Sequence, residues 1–430
     1  MRYREAVEFA LADLLKKGAA KASCHLEVNR KQEMNIHTGE LSLFRTNENA
    51  SLSLMALAGN KKGSLTINKL GDKDIKDAVE EVVDLAKSSQ EDPANDIAPY
   101  QEAADFQKGQ LDPDLDAMYQ RLQDFNQEVR NRFPKIILEE VILDHTRSDR
   151  IFLNSNGVNF TVREASYNFV PMFTAKEGKQ SSSFNYTYLV KEKLDQDFIT
   201  ACTTADLLQQ ASEQIVTEKM KNKFMGDLII TPDCIGDFIS YITNYLRDFA
   251  LISQTSLFQD KLGKEVAHPL LTLRSLPLAP EFPQGYFFTN DGFAAQNSTI
   301  IDGGVLKSFL LSLYGANKTG LARSVNSGNC YKVEAGETAL RDMIAQVDRG
   351  LLLCRFSGGN PNDKGDFSGV AKNSYLIEKG TIRYPVSETM ISGNLADLLF
   401  NIRGISRETV NFGWQIMPWI HFGGVSISGK

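Results

Sequence analysis

Apolar side chains at Val7, Leu11, Leu14 and Leu15 recur at helical spacing over residues 2–17 and stop at Gly18, a residue suited to ending a helix. The spacing predicts a first helix there. Two strand-like runs follow, over 22–36 and 50–68. The second run contains Gly59-Asn60-Lys61-Lys62-Gly63, which predicts a hairpin loop. Ile75, Val79, Val82 and Ala86 share one face of a helix expected over 73–87. Residues 88–112 hold Pro93, Pro99 and few large apolar groups, the pattern of a long exposed connection. A helix over 113–132 ends before Pro134.

A strand-rich block comes next. One strand is expected over 135–144. Runs at 151–154 and 158–162 flank Asn156-Gly157, a strong signal for a type I′ hairpin. Further strands are expected over 165–174 and 181–190, then a long helix over 195–221. At Phe224 the pattern changes. A short strand over 227–231 leads through Pro232-Asp233 into a helix over 234–250, whose Ile235, Phe238, Ile239, Ile242, Leu246 and Phe249 form an apolar stripe. Beyond it, glycine turns separate strands: Asn290-Asp291-Gly292, Asp302-Gly303-Gly304, Lys379-Gly380 and Gly423-Gly424. Helices and strands are grouped rather than alternating, which predicts an α+β class. A chain of 430 residues exceeds what one core usually serves. The expected division is an N-terminal α+β domain over 1–222 and a β-rich domain over 223–430.

Composition narrows the function classes. Apolar residues at 42% and charged residues at 23% describe an ordinary globular chain. The formal net charge is −7 and no Lys/Arg block exceeds three residues, which argues against nucleic-acid binding. No apolar stretch approaches the ~20 residues that cross a bilayer. The N-terminus lacks the apolar core of a signal peptide. Cys24, Cys202, Cys234, Cys330 and Cys354 are an odd, scattered set, expected to be reduced and buried. A cytoplasmic protein is the expectation.

Candidate chemistry is sparse. His25, His37, His145, His268 and His421 are dispersed, so no H-E-x-x-H pair or built-in zinc site is visible. The run from Gly424 to Lys430 fits G-x-x-x-x-G-K, but no helix follows to meet a phosphate. Neither a G-x-G-x-x-G nor a G-x-S-x-G motif occurs. Asp366 and Glu388, in a glycine-rich region, have the groups for acid/base work without metal. The plainer reading gives Asp366 a turn cap and Glu388 a structural hydrogen bond.

The C-terminal half resembles the TldD/PmbA family, also described as candidate modulators of DNA gyrase. Thr289-Asn290-Asp291-Gly292 followed by Ile301-Asp302-Gly303-Gly304-Val305-Leu306-Lys307 is similar to the family's paired turns. Ser312-Leu313-Tyr314-Gly315-Ala316-Asn317-Lys318-Thr319-Gly320 resembles its S-Y-x-A-x-x-x-G segment. The most specific stretch is Gly365-Asp366-Phe367-Ser368, then Gly380, then Tyr384-Pro385-Val386-Ser387-Glu388, then Ile391-Ser392-Gly393-Asn394-Leu395. It matches the family series in order and spacing.

The resemblance implies a complex of two paralogous chains. The TldD-type chain carries H-E-x-x-x-H on the helix opening its C-terminal domain, with a cysteine near the C-terminus completing a zinc site. Here the corresponding positions, roughly Ser240 to Tyr245 and including Tyr241, offer neither His nor Glu, and 411–430 has no Cys. That implies a TldE/PmbA-type chain, the non-catalytic subunit of a zinc metallopeptidase complex acting on unfolded peptides. Zinc is then expected only in the partner. A homodimer is expected when the chain is alone. The alternative is a homodimeric peptide-binding or regulatory protein with no peptidase partner. Asp366, Ser368, Glu388, Gly393 and Asn394 are the expected cleft and substrate-binding residues.

Overall fold

The computed structural model describes residues 3–429. Met1, Arg2 and Lys430 lie outside it, so the expected start of the first helix and the end of the phosphate-loop-like run are not among the described residues. The class is α+β. Among the described residues, nine strands form one sheet and fourteen form a second.

The first sheet is laid down by α1 (Tyr3–Lys16), β1 (Lys21–His37), β2 (Glu40–Ala58), β3 (Lys61–Ile67), α2 (Asp72–Ser88), β4 (Ala104–Lys108), α3 (Leu115–Arg132), β5 (Ile136–Asn154) and β6 (Asn159–Glu177). Its order is β3-β2-β1-β5-β6-β4, antiparallel except for the parallel pair of β4 with β6. The period-two alternation of strands decides which side is dry. Ala22, Cys24, Leu26, Leu52 and Leu54 bury against Val7 and Leu14 of α1 and Val79 and Val82 of α2. Farther along the same face, Met34, Ile36 and Leu143 pack on Met118, Leu122 and Phe125 of α3. The opposite face carries Ser23, His25, Ser53, Met55, Ser64 and Thr66 and looks toward the C-terminal half.

The second sheet is organised around the terminal strand Gln415–Ser428. It pairs antiparallel with strands Phe224–Ile230, Thr389–Asn394 and Ile402–Asn411, and parallel with Tyr331–Val333. Strand Phe224–Ile230 also runs parallel to Arg349–Leu353, so this sheet is mixed rather than purely antiparallel. After α4 (Thr204–Glu213), helix α5 (Pro232–Asn244) starts with Pro at its first position and packs Cys234, Ile235, Phe238, Ile239 and Ile242 into the larger core.

Four sequence expectations change. The 88–112 segment is not simply an exposed connection: Ala98 and Ile97 are buried and β4 pairs with β6. Its order rests on backbone pairing and on Asn154 and Asn156 side chains donating to the Ala98 carbonyl at 2.8 and 3.0 Å, neither of which leaves an apolar pattern. Strand β2 begins at Glu40, well before the expected residue 50, after the tight turn Thr38-Gly39. The 195–221 helix is only α4, because Glu218–Lys219 instead extends the second sheet beside Val386–Ser387. The 234–250 helix is broken. Tyr245 caps α5, Arg247 turns extended, and a separate turn of helix, Asp248–Ile252, follows.

Candidate functional site

The first sheet and the loops and short helices of the C-terminal half line a cavity of about 890 Å³. Strand register supplies one wall: His25, Ser53 and Thr66 sit side by side across β1, β2 and β3, with Ser23, Met55 and Ser64 as the next row. Ser53 and Thr66 share a hydrogen bond of 2.9 Å between their hydroxyls. His25 is wedged against Phe152 and Phe288, with ring centroids 6.0 and 5.5 Å away. Burial, and then the Arg150 charge, push its pKa below the ordinary histidine value. Its Nε2 is buried without a hydrogen-bond partner.

The C-terminal half supplies the other wall. Arg323 Nε and Nη2 donate to Asp291 Oδ2 and Oδ1 at 2.9 and 2.7 Å, and the guanidinium lies 3.6 Å from the Phe293 ring centroid. Burial raises the Asp291 pKa, but Arg323, Thr289 and the Leu313 amide outweigh it and hold the carboxyl below its ordinary value. Asp248 accepts from the Ser312 amide at 2.9 Å and from the Ser312 hydroxyl. Phe249, expected in the core stripe, is 82% exposed and lines this cavity instead. The helix break at 245–247 rotates it off the apolar face of α5. Sequence reasoning missed this site. Its residues come from strands and loops far apart in sequence, and His25, Phe249, the Asn290-Asp291 turn and Ser312-Leu313-Tyr314 stand out in the sequence for other reasons, none of which points to a cavity.

The expected cleft residues lie elsewhere. Asp366, Gly393 and Asn394 line a second, shallower pocket of about 380 Å³ in the C-terminal half, with Asp397, Asn401 and Gly423. Asn394 Nδ2 donates to Asp366 Oδ1 at 2.9 Å, and its Oδ1 caps the helix Leu395–Phe400. Ser368 is exposed on the same strand as Asp366 and does not line that pocket. Glu388 sits at positive φ and pairs with Lys219 at 3.1 Å, also outside it. Asp366 and Glu388 therefore do not share a pocket.

The zinc-motif position falls on the last turn of α5 and its cap. Ser240 Oγ donates to the Gly236 carbonyl at 2.9 Å, one turn back along its own helix. Tyr245 donates its hydroxyl to the Asn362 carbonyl at 2.6 Å. Burial pushes the Tyr241 and Tyr245 hydroxyls above the ordinary tyrosine value, so both keep their protons. This trio does not fit a zinc ion. Among the described residues no three His, Cys, Asp or Glu are grouped to hold a metal. Where α5 meets 411–430, the Gln415 side chain lies over Gly236. One turn earlier, Asp233 accepts from Thr203 at 3.0 Å and Thr187 at 3.3 Å. Burial raises its pKa to about 6.

Comparison with known proteins places this geometry in a lineage. The PmbA/TldA metallopeptidase C-terminal domain matches residues 224–429. The metalloprotease PmbA homolog of Haemophilus influenzae is 24% identical over 94% of this chain and 91% of its own length. Metalloprotease PmbA of Escherichia coli O157:H7 is 21% identical, covering 98% of this chain and 97% of that one. TldE from Thermococcus kodakarensis has the same fold, with a TM-score of 0.85, 20% identity, and coverage of 99% of this chain and 100% of that one. The match over residues 224–429, with PmbA relatives along nearly the whole chain, supports membership of the TldD/PmbA family.

Proposed function

We propose that this chain is the non-catalytic, TldE/PmbA-like subunit of a TldD-type zinc metallopeptidase complex that acts on unfolded peptides. The observation that carries the reading is the helix opening the C-terminal domain. Its polar groups are occupied by Gly236 and Asn362 carbonyls, and its hydroxyls stay protonated, so it offers no ligand set for the metal. Similarity to PmbA relatives along nearly the whole chain supports the branch. In this reading zinc belongs to the partner, and this chain helps wall the chamber and position the peptide. All five cysteines are unpaired thiols, in keeping with a reducing, cytoplasmic setting.

The test is reconstitution. The purified chain should hold no stoichiometric zinc and cleave no unfolded peptide, and adding a TldD-type chain should give cleavage that chelators abolish. One zinc per chain after exhaustive dialysis, or chelator-sensitive cleavage by this chain alone, would overturn the reading. A second reading, a peptide-binding protein with no peptidase partner, is favoured by the cavity between the first sheet and the C-terminal loops, which one chain lines by itself. Peptide retention by the isolated chain, with no gain on adding a TldD-type partner, would favour it.

A further inference from the structure

The helix break that turns Phe249 outward sets three consecutive residues, Arg247, Asp248 and Phe249, along one wall of the cavity. Charge on the lining is unevenly matched. Arg323 commits Nε and Nη2 to Asp291, and its Nη1 donates to the Ser324 carbonyl. Asp248 accepts from the Ser312 amide and hydroxyl. Asp96 is held by Lys21 at 2.5 Å. Arg247 makes no ion pair with a carboxylate among the described residues. Its Nη1 and Nη2 reach only the Ser327 carbonyl and the Tyr331 hydroxyl, at 3.3 and 3.4 Å. Both distances lie beyond the usual N–H···O range of about 2.7–3.2 Å. Gly328 leaves room for the head group, since a β-carbon there would come within 3.2 Å of Arg247 Nη2. Arg247 is thus half-buried, seated against one loop, and short of an acceptor. The first-sheet wall brings hydroxyls. Ser53 and Thr66 share a single hydrogen bond, so one of their two protons is left free to donate.

We propose that Arg247 is the anion receptor of this cavity and takes a peptide by a carboxylate, either its chain end or an acidic side chain. A guanidinium presents parallel donors that match a carboxylate in a bidentate pair, the arrangement Arg323 already makes with Asp291 in the same cavity. Phe249, 82% exposed beside Arg247, offers apolar surface to the neighbouring side chain of the ligand. The free hydroxyl proton of the Ser53 and Thr66 pair is available to a peptide carbonyl. A volume of about 890 Å³ lies within the roughly 300–1,000 Å³ of ordinary ligand pockets, which suits a short segment rather than a folded partner. The inference deepens the peptide-handling role proposed above and rests on it for the kind of ligand. It adds the group on the peptide that is recognised.

Titration calorimetry on the full chain tests it with an N-acetylated peptide of Ala, Gly, Ser and Leu. The peptide is made with a free C-terminal carboxylate, with a C-terminal amide, and as the amide with one internal Glu. A carboxylate form should bind about tenfold more tightly than the plain amide, the margin of a charge-assisted pair. Tight binding by the free acid alone places the chain end on Arg247, and tight binding by the Glu-containing amide places an acidic side chain there. Arg247→Gln should erase the margin. Lys62→Gln, which removes the exposed cation of the first-sheet wall, should keep it. Three peptides that bind alike or not at all, a margin that survives Arg247→Gln, or one that Lys62→Gln removes would each overturn the inference. If Arg247→Gln does not fold, the three peptides on the wild type and on Lys62→Gln still decide it. Absence of the margin beside chelator-sensitive cleavage in the reconstituted complex strikes this inference alone. A clear margin with no such cleavage strikes the peptidase-complex reading alone.

Discussion

Arg323 grips Asp291 with two parallel hydrogen bonds, at 2.9 and 2.7 Å, on the C-terminal wall of the cavity. Side-chain exposures of 16% and 22% put the pair where water screens it little. Arg323→Ala would leave a half-desolvated carboxylate facing Thr289 and the Leu313 amide. The expected cost is about 3 kcal/mol in chemical denaturation. The folded-state pKa of Asp291 is depressed. Its stabilisation is therefore present above the ordinary carboxylate value of about 4 and is lost as pH falls through the depressed one. Arg323→Ala should flatten that acid limb, and an unchanged limb would show that the pair does not couple to folding.

Gly63 lies in β3 directly under α2. An added β-carbon would come within 2.2 Å of the Val82 carbonyl oxygen and 2.5 Å of the Ala86 nitrogen, both backbone atoms that cannot step aside. Gly63→Ala should therefore force α2 off the sheet and lower stability by about 2–3 kcal/mol. A thermal melt within a degree of wild type would contradict this packing.

The hairpin glycines around position 63 were visible in the sequence because turn chemistry is local. So were α1, α2 and α3, whose apolar stripes have unbroken phase. What the sequence hid was set by contacts. Phe249 keeps the helical period of α5 on paper, but Arg247 adopts φ −95° and ψ 169°, and that one extended residue resets the phase. The 88–112 segment is ordered by carbonyl and amide bonds to Asn154 and Asn156, which hydropathy does not register. The cavity wall of Ser23, Ser53 and Thr66 looks like an ordinary solvated strand face until loops of the C-terminal half close over it. Glycine-rich 365–394 was conspicuous for a different reason. Much of its turn chemistry serves the Asn394 cap and the Asp366 contact.

Asp233 gives a pH signature of opposite sign to Asp291. Burial raises its pKa to about 6, with the Thr203 hydroxyl, Arg355 and Thr187 offsetting only part of the effect. A carboxyl whose folded pKa is raised binds its proton more tightly when folded. Its contribution is full below about pH 4 and is lost as pH climbs through 6. Asp233→Asn stays neutral throughout and keeps an oxygen for Thr203. It should match wild type near pH 4 and exceed it by something on the order of 2 kcal/mol at pH 8. Thermal melts at the two pH values read the gap directly, and a gap that narrows toward pH 8 would refute the assignment.

Phe238 and Phe249 look alike in the sequence, two members of one apolar stripe, but the structure gives them opposite work. Phe238 is 1% exposed and meets Phe356 and Phe367 at centroid distances of 5.4 and 5.7 Å. Truncating it leaves a void in the largest core, and Phe238→Ala should cost about 3–5 kcal/mol. Phe249 is 82% exposed beside the cavity, so Phe249→Ser removes almost no buried area. Its stability should stay within about 0.5 kcal/mol of wild type. If the cavity holds peptide, Phe249 is the apolar surface an unfolded chain meets at its mouth. Anisotropy of a labelled unfolded peptide should then show weaker binding to Phe249→Ser at unchanged stability. Equal destabilisation by the two substitutions would restore Phe249 to the core. Unchanged peptide binding would remove it from the site.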